Sequence, residues 1–276
     1  MVNFTSNTYQ MKREILNFSN KISHSLSKPD RKFSADITYG MLASGSCLLT
    51  DVADHLHENS KKVNIVERLS SHLAYGTPVS ALRSYLSLVR KWVPEEPVIH
   101  IDDSDVVKPD GFKFEALDIV RDASKSTQTK NVYEKGCHVT EAVVLTGSGH
   151  PASIFSEIHS SEEKNFSSIN TVTFSAMNRA AALFGKATFV MDRGYDDNKM
   201  FLKLDSMEQD YVIRLTAKRK LLYHNKWVPA TQLRNRRKGK IRLPLFYKGK
   251  SMMLITNKVI RPKEDVIQIA KLYFSR

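Results

Sequence analysis

Cysteine is nearly absent: the 276 residues hold two, Cys47 and Cys137, which stand far apart and form no ligand pair. A disulfide scaffold is excluded, and the usage fits a reducing cytosol. No run of eighteen apolar residues occurs, and the first twenty residues are too polar for a signal peptide. Neither a membrane span nor a secretory leader is therefore predicted. A Gly-rich phosphate loop is also lacking, which argues against ATP use. The nine histidines show no metal-ligand spacing; His55 and His57 lie two apart in a helical segment and face different ways. There is no internal repeat and no low-complexity stretch. What remains is ordinary for a folded soluble chain, with 41% hydrophobic and 26% charged residues. That suffices to bury a core in one large domain or two moderate ones.

Acid is missing from one long stretch. Between Asp210 and Glu264 there is no Asp or Glu, yet sixteen of the chain's 42 Lys and Arg lie there. The remaining 26 basic residues face all 29 acidic ones, so the whole formal excess of +13 belongs to this segment. It includes Lys218-Arg219-Lys220 and the run Arg234, Arg236, Arg237, Lys238, Lys240 and Arg242. Lys and Arg that neutralise phosphates release counterions and gain affinity without reading sequence. Tyr223, Trp227, Phe246 and Tyr247 are interleaved and suit stacking on bases or packing beneath the cations. A merely solvated basic face is the alternative. The length of the acid-free stretch favours nucleic acid.

Residues 1–93 read as helical, with apolar residues at three- and four-residue steps in Ile15, Phe18 and Ile22, and in Val63, Ile65, Val66, Leu69 and Leu73. Residues 48–57 and 63–73 form a helix pair that serves either core packing or a DNA-reading helix-turn-helix. Pro94-Glu95-Glu96-Pro97 marks a domain boundary. Beyond it, Val98-Ile99-His100-Ile101 is a strand running into Asp102-Asp103. Residues 138–145 and 152–158 flank Gly147-Ser148-Gly149 and predict a hairpin. Residues 169–184 predict a helix closed by Gly185, and 187–191 a strand ending at Asp192. A helix over 198–207, strands over 211–215, 240–247 and 251–256, and a helix over 264–274 complete the pattern. Lys108-Pro109-Asp110-Gly111 reads as a turn, Asp105 as a turn residue, and 121–124 as the start of a loop. The order describes a mixed sheet with helices on its faces.

An aspartate after a buried strand occupies the sheet edge where α/β proteins place their sites. Two of them on neighbouring strands suit a hard cation such as Mg²⁺. The octapeptide Val98-Ile99-His100-Ile101-Asp102-Asp103-Ser104-Asp105 resembles the first-strand motif of DDE transposases of bacterial insertion sequences. Phe189-Val190-Met191-Asp192-Arg193-Gly194-Tyr195 is similar to their second motif. One branch of that family places a basic β-rich insert before a third motif, Tyr-x2-Arg-x3-Glu-x6-Lys, and Tyr273-Phe274-Ser275-Arg276 matches its start. The resemblance covers residues 97 to 276.

It implies an α/β, ribonuclease-H-like mixed sheet over 97–276, with a β-rich basic insertion at 216–262, preceded by an all-helical DNA-binding region over 1–96. It further implies metal-dependent DNA cleavage and strand transfer, with Asp103 and Asp192 holding Mg²⁺ or Mn²⁺. The acid–acid–hydroxyl pattern favours Asp103 over Asp102, and strand alternation lets only one of the pair face the metal. Arg193 contacts phosphate or pairs with a nearby acid. Tyr273 and Arg276 resemble the family's DNA-contacting pair, although an apolar stripe residue and a helix C-terminal cation describe them nearly as well. The motif's Glu would fall four residues past Arg276, and Glu264 and Asp265 do not match it but suit a helix N-terminus. The expectation is thus a truncated transposase. Its partners would be the double-stranded DNA of insertion-sequence ends and targets, and a second copy at synapsis, with no membrane. Its place would be the bacterial cytoplasm, on the nucleoid. The alternative is an inactive DNA-binding fragment, acting as an inhibitor or left as a remnant.

Overall fold

The computed structural model describes residues 4–76, 78–127, 129–235, 245–247, 250–261 and 263–276. Two compact units divide between Lys91 and Trp92, a few residues before the Pro94–Pro97 punctuation. Among the described residues, no helix is long and apolar enough to cross a membrane.

The first unit is helical: α1 (Phe4–Ser23), α2 (Lys28–Ser44), α3 (Leu49–Leu56), α4 (Lys62–Tyr75) and α5 (Val79–Trp92). Local chemistry sets the ends of α2. Ser27 Oγ accepts from the Asp30 amide at 3.3 Å, and Pro29 sits in the first turn. Gly45 closes the helix at φ 63°, its amide donating to the Met41 carbonyl. Val52, Ala53, Ile65 and Leu69 form the core, flanked by Phe33, Ile37 and Met41 from α2. Gly40 permits this packing, because a β-carbon there would collide with the Val52 side chain. Arg68 ties Asp36 at 2.5 Å to Glu58 at 2.8 Å across the same helices. Both members of the expected pair, α3 and α4, are present as helices.

The second unit is mixed α/β. Its elements are β1 (Val98–Val107), β2 (Asp118–Arg121), β3 (Tyr133–Leu145), β4 (Pro151–His159), α6 (Ile169–Phe184), β5 (Thr188–Met191), a 3₁₀ turn (Arg193–Tyr195), α7 (Asn198–Ser206) and β6 (Asp210–Arg214). There follow β7 (Lys220–Tyr223), β8 (Lys226–Pro229), α8 (Ala230–Asn235), β9 (Leu245–Tyr247), β10 (Lys250–Met252), β11 (Leu254–Thr256) and α9 (Lys263–Phe274). The main sheet runs β11-β6-β5-β1-β3, and β4 and β2 follow one another along the far edge of β3. β1 is antiparallel to β3 and β3 to β4, whereas β5 and β6 run parallel to β1 and to each other. α7 makes the crossover from β5 to β6. Ser168 caps α6 through the Thr171 amide, and Gly185 ends it as its sequence position predicts.

Three expectations need correcting. β1 does not stop at Ile101 but continues through Asp102, Asp103 and Asp105 to Val107, because β3 is long enough to pair all of it. Asp105 is therefore a strand residue opposite His138, not a turn residue. β2 was not expected; it ends at Arg121 where a loop was predicted to begin, and Gly136 lets β1, β3 and β2 close up, since a β-carbon there would strike the Val106 carbonyl and Val120. Finally, residues 251–256 split: β10 pairs β9 in a small hairpin, while β11 returns to the main sheet beside β6, Leu254 facing Arg214.

α9 packs on the sheet through Ile269 and Tyr273, which meet Val190, Val212 and Met252, with Val98, Leu254 and Leu272 at the edge. Side chains alternate along a strand. His100 and Asp102 on β1, Asp192 after β5 and Arg214 on β6 therefore share the face that α9 covers.

Candidate functional site

The register of β1 against β5 brings the first two carboxylates together. His100 pairs Val190, so Asp102 and Asp192 both lie two residues further along adjacent parallel strands. Their side chains are half exposed, 54% and 36%. Asp192 Oδ1 accepts from the Gly194 amide at 2.6 Å, which anchors the 3₁₀ turn. Arg276 reaches both acids: its Nη2 stands 2.6 Å from Asp102 Oδ1 and its Nη1 3.8 Å from Asp192 Oδ2. Burial works against that guanidinium, but the hydrogen bond to Asp102 and the charges of both carboxylates raise its pKa above the ordinary value. Beneath them, burial and then the Arg276 charge push His100 down to about 4. His100 is therefore neutral at pH 7, and its Nε2 lies 3.3 Å from Ser275 Oγ.

Asp103 points to the other face and has other partners. Thr140, directly opposite on β3, donates its hydroxyl to Asp103 Oδ1 at 2.5 Å. Having given its one proton, Thr140 accepts from His159 Nε2 at 2.8 Å. The His159 tautomer follows: Nε2 carries the proton, and buried Nδ1 has no partner. The ring is stacked between His138 and Phe166, and burial lowers its pKa. Tyr195 is buried at the end of the 3₁₀ turn. Burial first, then the charges of Asp103, Asp102 and Asp192, push its phenol up, so it keeps its proton.

An open cleft of about 440 Å³ adjoins Asp102, lined with it by Arg214, Met252, Tyr273, Phe274 and Arg276. Arg214 is half buried there and makes no ion pair among the described residues. Arg193 is exposed beside Asp192 and likewise has no acidic partner among them. No group of three His, Cys, Asp or Glu suited to a metal occurs among the described residues.

The basic segment divides into distinct roles. Lys218, Lys220 and Lys226 are exposed on or beside the β7–β8 hairpin, where Leu222 and Trp227 face each other and remain 60% and 68% exposed. His224 and Asn225 form its two-residue turn with positive φ. Arg219 does not belong with the exposed cations, contrary to expectation. Its Nε sits 2.7 Å from Asp196, a nearly inaccessible carboxylate, and its guanidinium lies over the Phe201 ring. Arg234 falls in α8, while Arg236, Arg237, Lys238, Lys240 and Arg242 lie outside the described residues. Tyr273 also departs from the DNA-contacting expectation: only 7% exposed, it belongs to the core under α9.

Thr140, His159, His100 and Arg214 escaped the sequence reading. None of them belongs to a recognisable local pattern, and only the strand register reveals their neighbours. No protein-family model matches this chain, and no curated protein matches it in sequence.

Proposed function

We propose that this chain is a DNA transposase of the DDE type, with a ribonuclease-H-like body and a two-carboxylate metal site at Asp102 and Asp192. The observation that carries the reading is the placement of these two acids on one face of adjacent parallel strands. Support for the body comes from its strand order, an antiparallel β4-β3-β1 run extended by parallel β5 and β6. The motif resemblance and the acid-free basic stretch point the same way.

Between the two candidate ligands the geometry favours Asp102. Asp103 spends an oxygen on Thr140 and lies across the strand from Asp192's side, so it holds β1 and β3 together beneath the site. Two carboxylate oxygens from different strands fit Mg²⁺ or Mn²⁺, which take oxygen ligands and retain waters. When bound, such a cation supplies Lewis acidity and a more acidic water for attack on a phosphodiester. The protein's own residues supply the rest. Arg193, exposed beside Asp192, and Arg214, which lines the cleft with Asp102, would hold phosphate oxygens, and buried Tyr195 stays protonated. The hairpin cations Lys218, Lys220 and Lys226 give sequence-independent affinity for double-stranded DNA. A second copy at synapsis and a nucleoid location belong to the same reading.

A second reading, DNA binding without cleavage, is favoured by one observation: Arg276 engages both carboxylates, and no third acid joins them among the described residues. Nicking of supercoiled plasmid with Mn²⁺, run beside a salt titration of duplex binding, separates the two. The transposase reading expects nicking that Asp102→Ala or Asp192→Ala reduces at least about a hundredfold while DNA binding persists. Salt-sensitive binding without nicking supports the second reading. Undiminished nicking in both variants overturns the assignment, and failure to bind DNA overturns both readings.

A further inference from the structure

The position of Arg276 has a consequence for how a cation reaches the two acids. Its guanidinium is the one positive group within ion-pair distance of both Asp102 and Asp192 among the described residues. The fork bridges acids carried by different strands, so its charge lies where a cation shared by them would lie. Two cations cannot occupy that position together, since each would repel the other at close range.

We infer that Arg276 is a displaceable occupant of the divalent-cation site, so that metal binding and loosening of residues 272–276 are one event. This rests on the metal reading of Asp102 and Asp192. The geometry supplies both halves of the device. The hold is firm enough to form: one contact is short, and Arg276 is three-quarters screened from solvent. It is also breakable, because the second contact is long and Asp102 is more than half exposed, and exposed ion pairs contribute little. A doubly charged ion that takes both carboxylates directly outcompetes such a pair. Ser275 adds a second, weaker tie, at 3.3 Å from His100 Nε2, on the same face. Release of Arg276 also delivers a guanidinium to the cleft it shares with Arg214, where a phosphate would meet both. Metal loading and preparation for the polyanion are thereby linked.

The test is calorimetric titration of Mn²⁺ into the full chain, with hydrogen exchange read at residues 272–276. Arg276→Gln is expected to tighten Mn²⁺ binding about two- to fivefold, the scale of one lost ion-pair competitor. Arg276→Lys should tighten it nearly as much, because an ammonium keeps the charge but cannot fork across both acids. In the unaltered chain Mn²⁺ should raise exchange at 272–276, and in Arg276→Gln those amides should exchange quickly with or without metal. Asp102→Asn combined with Arg276→Gln should abolish binding. Equal affinity in the unaltered chain and Arg276→Gln overturns the inference. Arg276→Lys binding as weakly as the unaltered chain overturns it too, since bulk charge would then explain the competition. Absence of Mn²⁺ binding in every variant, Arg276→Gln included, instead sinks the metal reading on which the inference rests.

Discussion

Asp102 and Asp103 carry the same side chain at adjacent positions, and the strand gives them opposite surroundings. Alternation turns one toward Asp192 and Arg276 and the other toward Thr140 and, through it, His159. Motif resemblance favours Asp103, because it reads order along the chain and not direction across the sheet. The two buried histidines make a prediction at this scale. Both have lowered pKa values in the folded protein, His100 down to about 4 and His159 below its ordinary value. As pH falls below about 6.5 the unfolded chain takes up protons on both more readily than the folded chain, so stability falls with pH across this window. For His100 alone the loss approaches about 3 kcal/mol by pH 4. Urea denaturation between pH 7 and pH 4 should show this slope, and His100→Gln should flatten it; an unchanged slope in that variant counts against the assignment.

Among the elements, those that follow local chemistry were legible in advance. α6 runs from its Ser168 cap to Gly185, α9 follows its apolar stripe, and the β3–β4 hairpin turns at Gly147–Gly149. What the sequence could not disclose was non-local: that β1 would be carried on to Val107 by a long partner, that β2 would join the edge of β3, and that β11 would leave the insert for β6. Each depends on which strand lies alongside, and apolar alternation is silent about that. The same holds for Arg219, which reads as one cation in a run of three. Its contact with Asp196 ties the root of the β7–β8 hairpin to the segment just after the Asp192 turn, with Thr216 donating to the other oxygen of Asp196 through both its amide and its hydroxyl. Arg219→Ala strands a buried carboxylate and should cost about 3 kcal/mol, measured by chemical denaturation. Lys218→Ala, fully exposed, should cost almost nothing. Comparable losses in the two variants would refute the structural role given to Arg219.

At the scale of the molecule, the charge arithmetic found its place only in part. Among its described residues the acid-free stretch divides by role: Arg219 is turned inward, Arg214 lines the cleft, and Lys258 pairs with Asp210 at the other end of β6. Among the described residues of the stretch, the exposed Lys218, Lys220 and Lys226 lie on or beside the β7–β8 hairpin, near Trp227 and Leu222.

β3 also has a temporal meaning. It follows β2 after an eleven-residue loop and meets β4 through a five-residue turn, whereas the contacts that complete the site join strands more distant in sequence. Closing a short loop costs less entropy than closing a long one, so the β2-β3-β4 meander is the natural seed of the second unit. Asp103 gains Thr140 and His159 as soon as β1 joins that seed. Asp102 must wait for β5 to bring Asp192 and for α9 to bring Arg276. Pulse-labelled hydrogen exchange during refolding should protect β3 and β4 before β6 and β11, the reverse order being incompatible with this route. The two neighbouring aspartates would thus acquire their partners at different moments: the one that supports the sheet at its birth, and the one that faces the cleft at its completion.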